Sequence, residues 1–352
     1  MAYSTISKPS LQFNTKLYTG NGGTQSITGV GFQPDWTWIK NRTTAGQGHH
    51  LYDAVRGVTK RLRSDSNSAE STASTGLTTF GTDGFTVGSN DGCNKNGIGI
   101  ASWNWKAGTG QGSSNTDGSI NTTYTSVNTT AGFSICKWSG TGSAGTIGHG
   151  LGAVPKMIIC KNTDTSVNWI VYHNKLDASA PQNKYIELNA TTALQDYPMW
   201  NDTAPTSSVF SVGSDIATNK SGSPMIAYCF AEKTGYSKFG SYIGNGNADG
   251  TFVYTGFKPA FIMFKNMSNS QNWYMYDNKR TPTNFANYHI YADLSNAEAG
   301  GSTLGIDILS NGWKIKTNND GWNGSGEKYI YMAIAEEPLV ANVGASIPAT
   351  AR

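Results

Sequence analysis

Charge is scarce in this chain. Asp, Glu, Lys and Arg together make up 14% of the 352 residues, and the formal net charge is +3. So small an excess, with no basic stripe, argues against a nucleic-acid partner. Cysteine is scarce too. The four thiols, Cys93, Cys136, Cys160 and Cys229, match no zinc spacing. They read as buried reduced thiols, in preference to a Cys136–Cys160 or Cys160–Cys229 bridge. No apolar run approaches about 18 residues, so no membrane-spanning helix and no membrane insertion are expected. The start, MAYSTISKPS, has neither the charged nor the apolar part of a secretory signal, which predicts synthesis in a cytoplasm.

The signatures of catalysis are equally sparse. Only seven Glu are present, and several sit in joints or turns, so nothing nominates the facing carboxyl pair of a glycosidase. There is no G-x-S-x-G elbow and no H-E-x-x-H. Gly140-Thr-Gly142-Ser-Ala-Gly145 fits the dinucleotide pattern, but no helix can start well after it, so it reads as a glycine hairpin. Asn- and Asp-rich turns (Asn90-Asp91, Asp215, Asn318-Asn-Asp320) could offer calcium some oxygen ligands. Asx residues are also the ordinary turn formers, and that reading is favoured. No cofactor and no metal is expected, and the chain reads as a non-enzyme.

What the chain has is repetition. Gly31–Lys40, GFQPDWTWIK, returns as GAVPKMIICK at Gly152–Lys161 and GFKPAFIMFK at Gly256–Lys265, each followed by Asn (Asn41, Asn162, Asn266). About eleven residues on comes Trp169-Ile-Val-Tyr172 or Trp273-Tyr-Met-Tyr276; in the first copy His49 takes the Trp place before Tyr52. A Gly-Phe-type strand, a small-residue turn and an alternating small and large apolar run close each copy. Four ordered landmarks, three times, with roughly one hundred residues between copies, predict three tandem units, each with its own core. Aromatics at 11% and 42 Gly, with short strands between turn residues and no long amphipathic helix, predict an all-β fold.

The expected organisation is an N-terminal arm (1–12), a first antiparallel β-sandwich unit (13–107) and a Gly/Ser/Thr/Asn linker (108–131). A second unit (132–233), a third (234–337) and an extended C-terminal tail (338–352) follow. The joint between the second and third units is short, so those two should pack. The basic stretch Arg56–Arg63 reads as a solvated edge strand, and Ala292–Ala299 as a short helical turn. Most tryptophans occupy repeated positions and belong to cores. Trp138, Trp200 and Trp322 fall outside the repeat, in or beside polar turns. An exposed indole there could stack on a sugar ring. Trp322 with Asn319 and Asp320, and Trp200, are therefore the candidate carbohydrate-binding residues.

Several phrases together carry a resemblance. TKLYTGNGGTQSITGVGFQPDWTWIKNR, HLYDAVRGVTKRLRSDSNSAEST, GSYIGNGNADGTFVYTGFKPAF and the closing IYMAIAEEPLV with PATAR resemble a family of uncharacterised virion-associated proteins of marine bacteriophages. The resemblance covers nearly the whole chain. It implies lectin-like (jelly-roll or concanavalin-like) β-sandwich units and a structural place in a virion, as a tail fibre or head/tail appendage contacting the host. Other virion proteins and further copies of the chain, a trimer first, are the implied partners, with a host surface glycan as a possible ligand. A carbohydrate-binding module and a polysaccharide depolymerase are the alternatives. The family supplies no catalytic residues.

Overall fold

A computed structural model describes residues 4–301 and 303–338. The first repeat contains β1 (Phe13–Thr19), β2 (Gln25–Thr28), β3 (Trp36–Asn41), β4 (His50–Asp53), β5 (Gly84–Val87) and β6 (Gly99–Trp105). After β7 (Tyr124–Asn128) the second has β8 (Phe133–Ser139), β9 (Gly145–Gly148), β10 (Met157–Asn162), β11 (Ile170–His173), β12 (Val209–Val212) and β13 (Pro224–Phe230). The third has β14 (Ser237–Ile243), β15 (Phe252–Tyr254), β16 (Phe257–Asn266), β17 (Trp273–Asp277), β18 (Gly312–Ile315) and β19 (Lys328–Pro338). One-turn helices α1 (Asp91–Asn94), α2 (Ile216–Asn219) and α3 (Asp320–Asn323) precede the last strand of each repeat.

One strand order recurs: β1-β6-β3-β4, then β8-β13-β10-β11, then β14-β19-β16-β17, all antiparallel. A smaller sheet accompanies each, built on the pairs β2–β5, β9–β12 and β15–β18. The class is all-β, as the composition predicts. Glycine at the first turn of each repeat has a steric cause. A Cβ on Gly20, Gly140 or Gly244 would lie 2.2 Å from a carbonyl oxygen, that of Lys95, Lys220 or Gly324.

The repeated strand β3 is buried along its whole length. Period-2 alternation then sends its residues to two different interiors. Ile39 faces the smaller sheet of its own repeat, as Ile158 and Cys160, and Ile262 and Phe264, do in theirs. Trp36, Trp38, Met157, Ile159, Phe261 and Met263 all enter one cluster common to the three repeats. The expectation of three separate cores is therefore half right. Each repeat has an outer core, but the opposite faces of the main sheets close on a shared centre. Trp36 stacks on Tyr228 of the second repeat with ring centroids 4.3 Å apart, and Phe13 meets Phe261 of the third at 5.5 Å.

Two connecting segments depart from expectation. The linker is no free tether: β7 lies inside it and adds to the edge of β8. Upstream, the Asp35 carboxylate accepts from the N–H groups of Ala107, Thr109 and Gly110 at 2.7, 3.0 and 2.7 Å. The linker's glycines let its backbone lie close against its neighbours: a Cβ on Gly112 or Gly118 would lie 1.9 or 2.3 Å from the carbonyl oxygen of Thr125 or Thr146. The arm is anchored too, with Ile6 inside the shared core. Ala292–Ala299 contains no helix. The tail beyond Pro338 lies outside the described residues.

Candidate functional site

The side chains that the repeat singles out converge where the three sheets meet. Trp169 Nε1–H donates to Arg63 O at 2.8 Å, from the second repeat to the first. Trp273 Nε1–H donates to Glu187 O at 2.8 Å, from the third to the second. His49, in the equivalent place, sets Nε2 2.9 Å from Tyr291 O of the third. Trp38 Nε1–H donates to His49 Nδ1 at 2.7 Å, so Nδ1 is the acceptor and Nε2 carries the proton. Three equivalent bonds thus pass from each repeat to the next around a closed ring.

The repeated lysines do the same. Lys40 Nζ donates to Gln47 O at 2.5 Å and to Ser295 O of the third repeat at 3.3 Å. Lys161 Nζ donates to Thr165 O, Val167 O and, at 3.1 Å, Asn67 O of the first. Lys265 Nζ donates to Gln271 O and, at 2.7 Å, to Thr191 O of the second. Burial pulls all three ammonium groups down to about 8. A backbone set completes the ring: Glu298 N to Arg42 O, Glu70 N to Thr163 O, and Leu194 N to Met267 O, at 2.7, 2.7 and 3.0 Å.

Ion pairs reinforce two of the three junctions. Arg56 bonds Asp53 at 2.5 Å and Glu70 at 3.1 Å, and Asp53 also accepts from Tyr228 OH of the second repeat at 2.7 Å. Arg56 therefore belongs to a buried pair, although the stretch it opens was expected to be solvated. Arg280 bonds Asp277 at 2.5 Å and Glu298 at 2.7 Å, and Asp277 accepts from Trp103 Nε1–H at 3.0 Å. Burial pushes the Asp277 carboxyl up, but Arg280 and its hydrogen bonds outweigh this and hold it below the usual range. At the corresponding positions the second repeat has His173, Leu176 and Leu194. His173 Nε2 lies 3.1 Å from Tyr331 O of the third repeat, and no ion triad forms.

The sugar-binding candidates do not survive as a site. Trp322 and Trp200 are each 2% exposed, inside the outer cores of the third and second repeats. Trp322 Nε1–H donates to Tyr276 OH at 2.9 Å, and its ring packs on Tyr274. Asn319 is an N-cap, its side chain accepting from Gly321 N at 2.8 Å. Asp320, exposed, follows in the first helical turn. The polar neighbours that suggested a surface are helix-capping residues. Asn90 and Asp215 cap the other two helices likewise. Trp138, the third tryptophan outside the repeat, is buried as well. Among the described residues no group of three His, Cys, Asp or Glu could hold a metal ion, and all four cysteines are free and buried.

The family model described as "Domain of unknown function (DUF7483)" matches residues 8–338. The chain belongs to that family. No curated protein and no solved structure matches it. One DUF7483 match thus runs through all three repeats, and the shared core and closed ring run through the same span. What sequence reasoning missed in this DUF7483 chain is the set Asp53–Arg56–Glu70 and Asp277–Arg280–Glu298. An Asp-x-x-Arg spacing after the repeated Tyr (Tyr52, Tyr276) was the available signal. Outward, the third repeat differs from the others. Phe252 and Tyr254 are 43% and 56% exposed on β15, where β2 has Ser26 and Thr28 and β9 has Thr146 and Gly148.

Proposed function

We propose that the chain is a non-enzymatic structural component of a bacteriophage particle, a tail fibre or head/tail appendage meeting the host surface. Its repeats, on this reading, are β-sandwich units of jelly-roll or concanavalin-like topology. Other virion proteins and further copies of the chain are its partners. One observation carries the structural role: the ring of equivalent bonds from Trp169, Trp273 and His49. The repeated polar groups hold sheet to sheet, with their donors spent on backbone carbonyls. The phage assignment rests on the sequence resemblance. Mass spectrometry of purified particles, with negative-stain imaging of antibody-labelled virions, tests it. The chain should co-purify and the antibody should decorate one appendage. Recovery only in the soluble lysate would overturn it.

Glycan binding keeps one observation in its favour, moved from Trp322 and Trp200 to Phe252 and Tyr254. Two exposed rings on the same side of one strand, with Lys314 directly opposite Phe252 on β18, suit a sugar face and its hydroxyls. A glycan array read against Tyr254→Ala decides this. Identical profiles for the two proteins would remove it.

A further inference from the structure

We propose that the open edge of β14 takes up an added antiparallel strand from a partner polypeptide. The partner is an extended, uncharged segment with one large apolar or aromatic side chain. This inference goes beyond the virion reading and does not depend on it.

The chain contains its own precedent. β7 adds to the free side of β8, and Thr123 N–H, just before it, donates to Lys137 O at 2.7 Å. Lys137 lies opposite Ile226 on β13, and Ser241 lies opposite Ile330 on β19. Counting from the clash-forced glycines Gly140 and Gly244, Ser241 holds the place on β14 that Lys137 holds on β8. Backbone alternation agrees. Phe239 N–H points off the edge and donates to Glu232 Oε2 at 3.2 Å. Ser241 and Ile243, two and four residues on, turn their N–H groups the same way. Lys233 and Glu232 hold the start of this edge, at Ser237 and Phe239, and Thr251 Oγ1 donates to Ile243 O at 2.8 Å, so the span left for a partner is the Ser241 N–H and C=O and the Ile243 N–H. No described strand pairs with the rest of it, and Ile243 is 60% exposed there.

The side-chain space beside the edge has an apolar part, and for an identifiable reason. A cavity of about 540 Å³ lies between the second and third repeats, lined by Leu176, Ala178, Leu194, Ile243 and Met267 among others. Leu176 and Leu194 stand where the other junctions put an arginine and a glutamate. At the junction that β7 occupies, Tyr124 packs against the shared core. Among the described strands the edge of β1 is also unpaired, but the hollow beside it, lined by Asn14, Thr15, Lys16, Leu17, Gly29 and Lys279, offers one apolar side chain, Leu17, and two lysines. The rim at β14 carries Lys175, Asp177 and Lys328, of mixed sign, which favours an uncharged segment. Strand addition draws affinity from main-chain bonds and selectivity from alternate side-chain pockets, and this edge supplies both.

The probe is a synthetic peptide of residues 121–130, Asn-Thr-Thr-Tyr-Thr-Ser-Val-Asn-Thr-Thr, added to the full chain. Hydrogen–deuterium exchange across 237–243 and fluorescence anisotropy are read together. Exchange at Ser241 and Ile243 should slow about tenfold at saturation. A peptide with Ala in place of its Tyr should bind about tenfold more weakly. Ile243→Lys, at an exposed position that leaves the core intact, should abolish binding, because an edge lysine deters pairing. Three results overturn the proposal: no binding; protection at Leu17 of β1 without protection at Ser241; or slow exchange at Ser241 before peptide is added, which would mean a second copy or residues 339–352 already cover the edge.

Discussion

His49 shows how much one side chain can be asked to do. Its Nδ1 accepts from Trp38 and its Nε2–H faces Tyr291 O, so it is neutral by geometry. A second proton would set N–H against N–H at Trp38. Burial holds His49 down at about 3, and His173 and His289 at about 4. The unfolded chain takes up these protons near pH 6.5. Between the folded and unfolded values the unfolded state binds more protons, so stability is present above about pH 6.5 and lost as pH falls towards 4. Each histidine contributes about 2 kcal/mol of this loss between pH 6.5 and 5. Urea midpoints at pH 7, 6 and 5 should fall in that order, and His173→Asn should shallow the fall. A midpoint that stays level to pH 5 would contradict the neutral assignment.

At the scale of the element, the repeated strand-plus-lysine phrase was legible as a pattern and illegible as a cause. Alternation along Trp36-Thr37-Trp38-Ile39 already implied two buried faces. That His49 stands in the place of a tryptophan was also readable, because Tyr52 keeps the spacing. The direction in which each indole reaches was not, since its acceptor lies in another repeat at no fixed separation. Trp322 was misread because Asn319 and Asp320 look the same on a surface and on a helix cap. Leu176 and Leu194 were invisible because the middle of the repeat does not align by eye. Trp273→Phe keeps a ring in the strand but strands Glu187 O, and should cost about 1–3 kcal/mol. Trp313→Phe is the control, since its Nε1 meets no acceptor among the described residues. Equal losses in denaturant titrations of the two variants would remove the indole bond from the account.

For the whole molecule, the shared centre makes the repeats interdependent. Residues 132–233 alone would leave Phe133, Ile135, Met157, Ile159 and Tyr228 facing water on one side of a sheet, a larger apolar face than a monomer usually shows. The full chain should therefore melt in one calorimetric transition, and the isolated second repeat should aggregate or bind hydrophobic dye. Two or three separable transitions would mean the outer cores suffice on their own. Joining three copies covalently also changes what a substitution can reach. In an assembly of identical subunits each change is felt at every contact surface at once, so a damaging one is multiplied by the symmetry. Here leucines replace an arginine and a glutamate at one seam while the other two seams keep their charges. A polypeptide of this kind can specialise one side of itself and leave the remaining two to hold the shape.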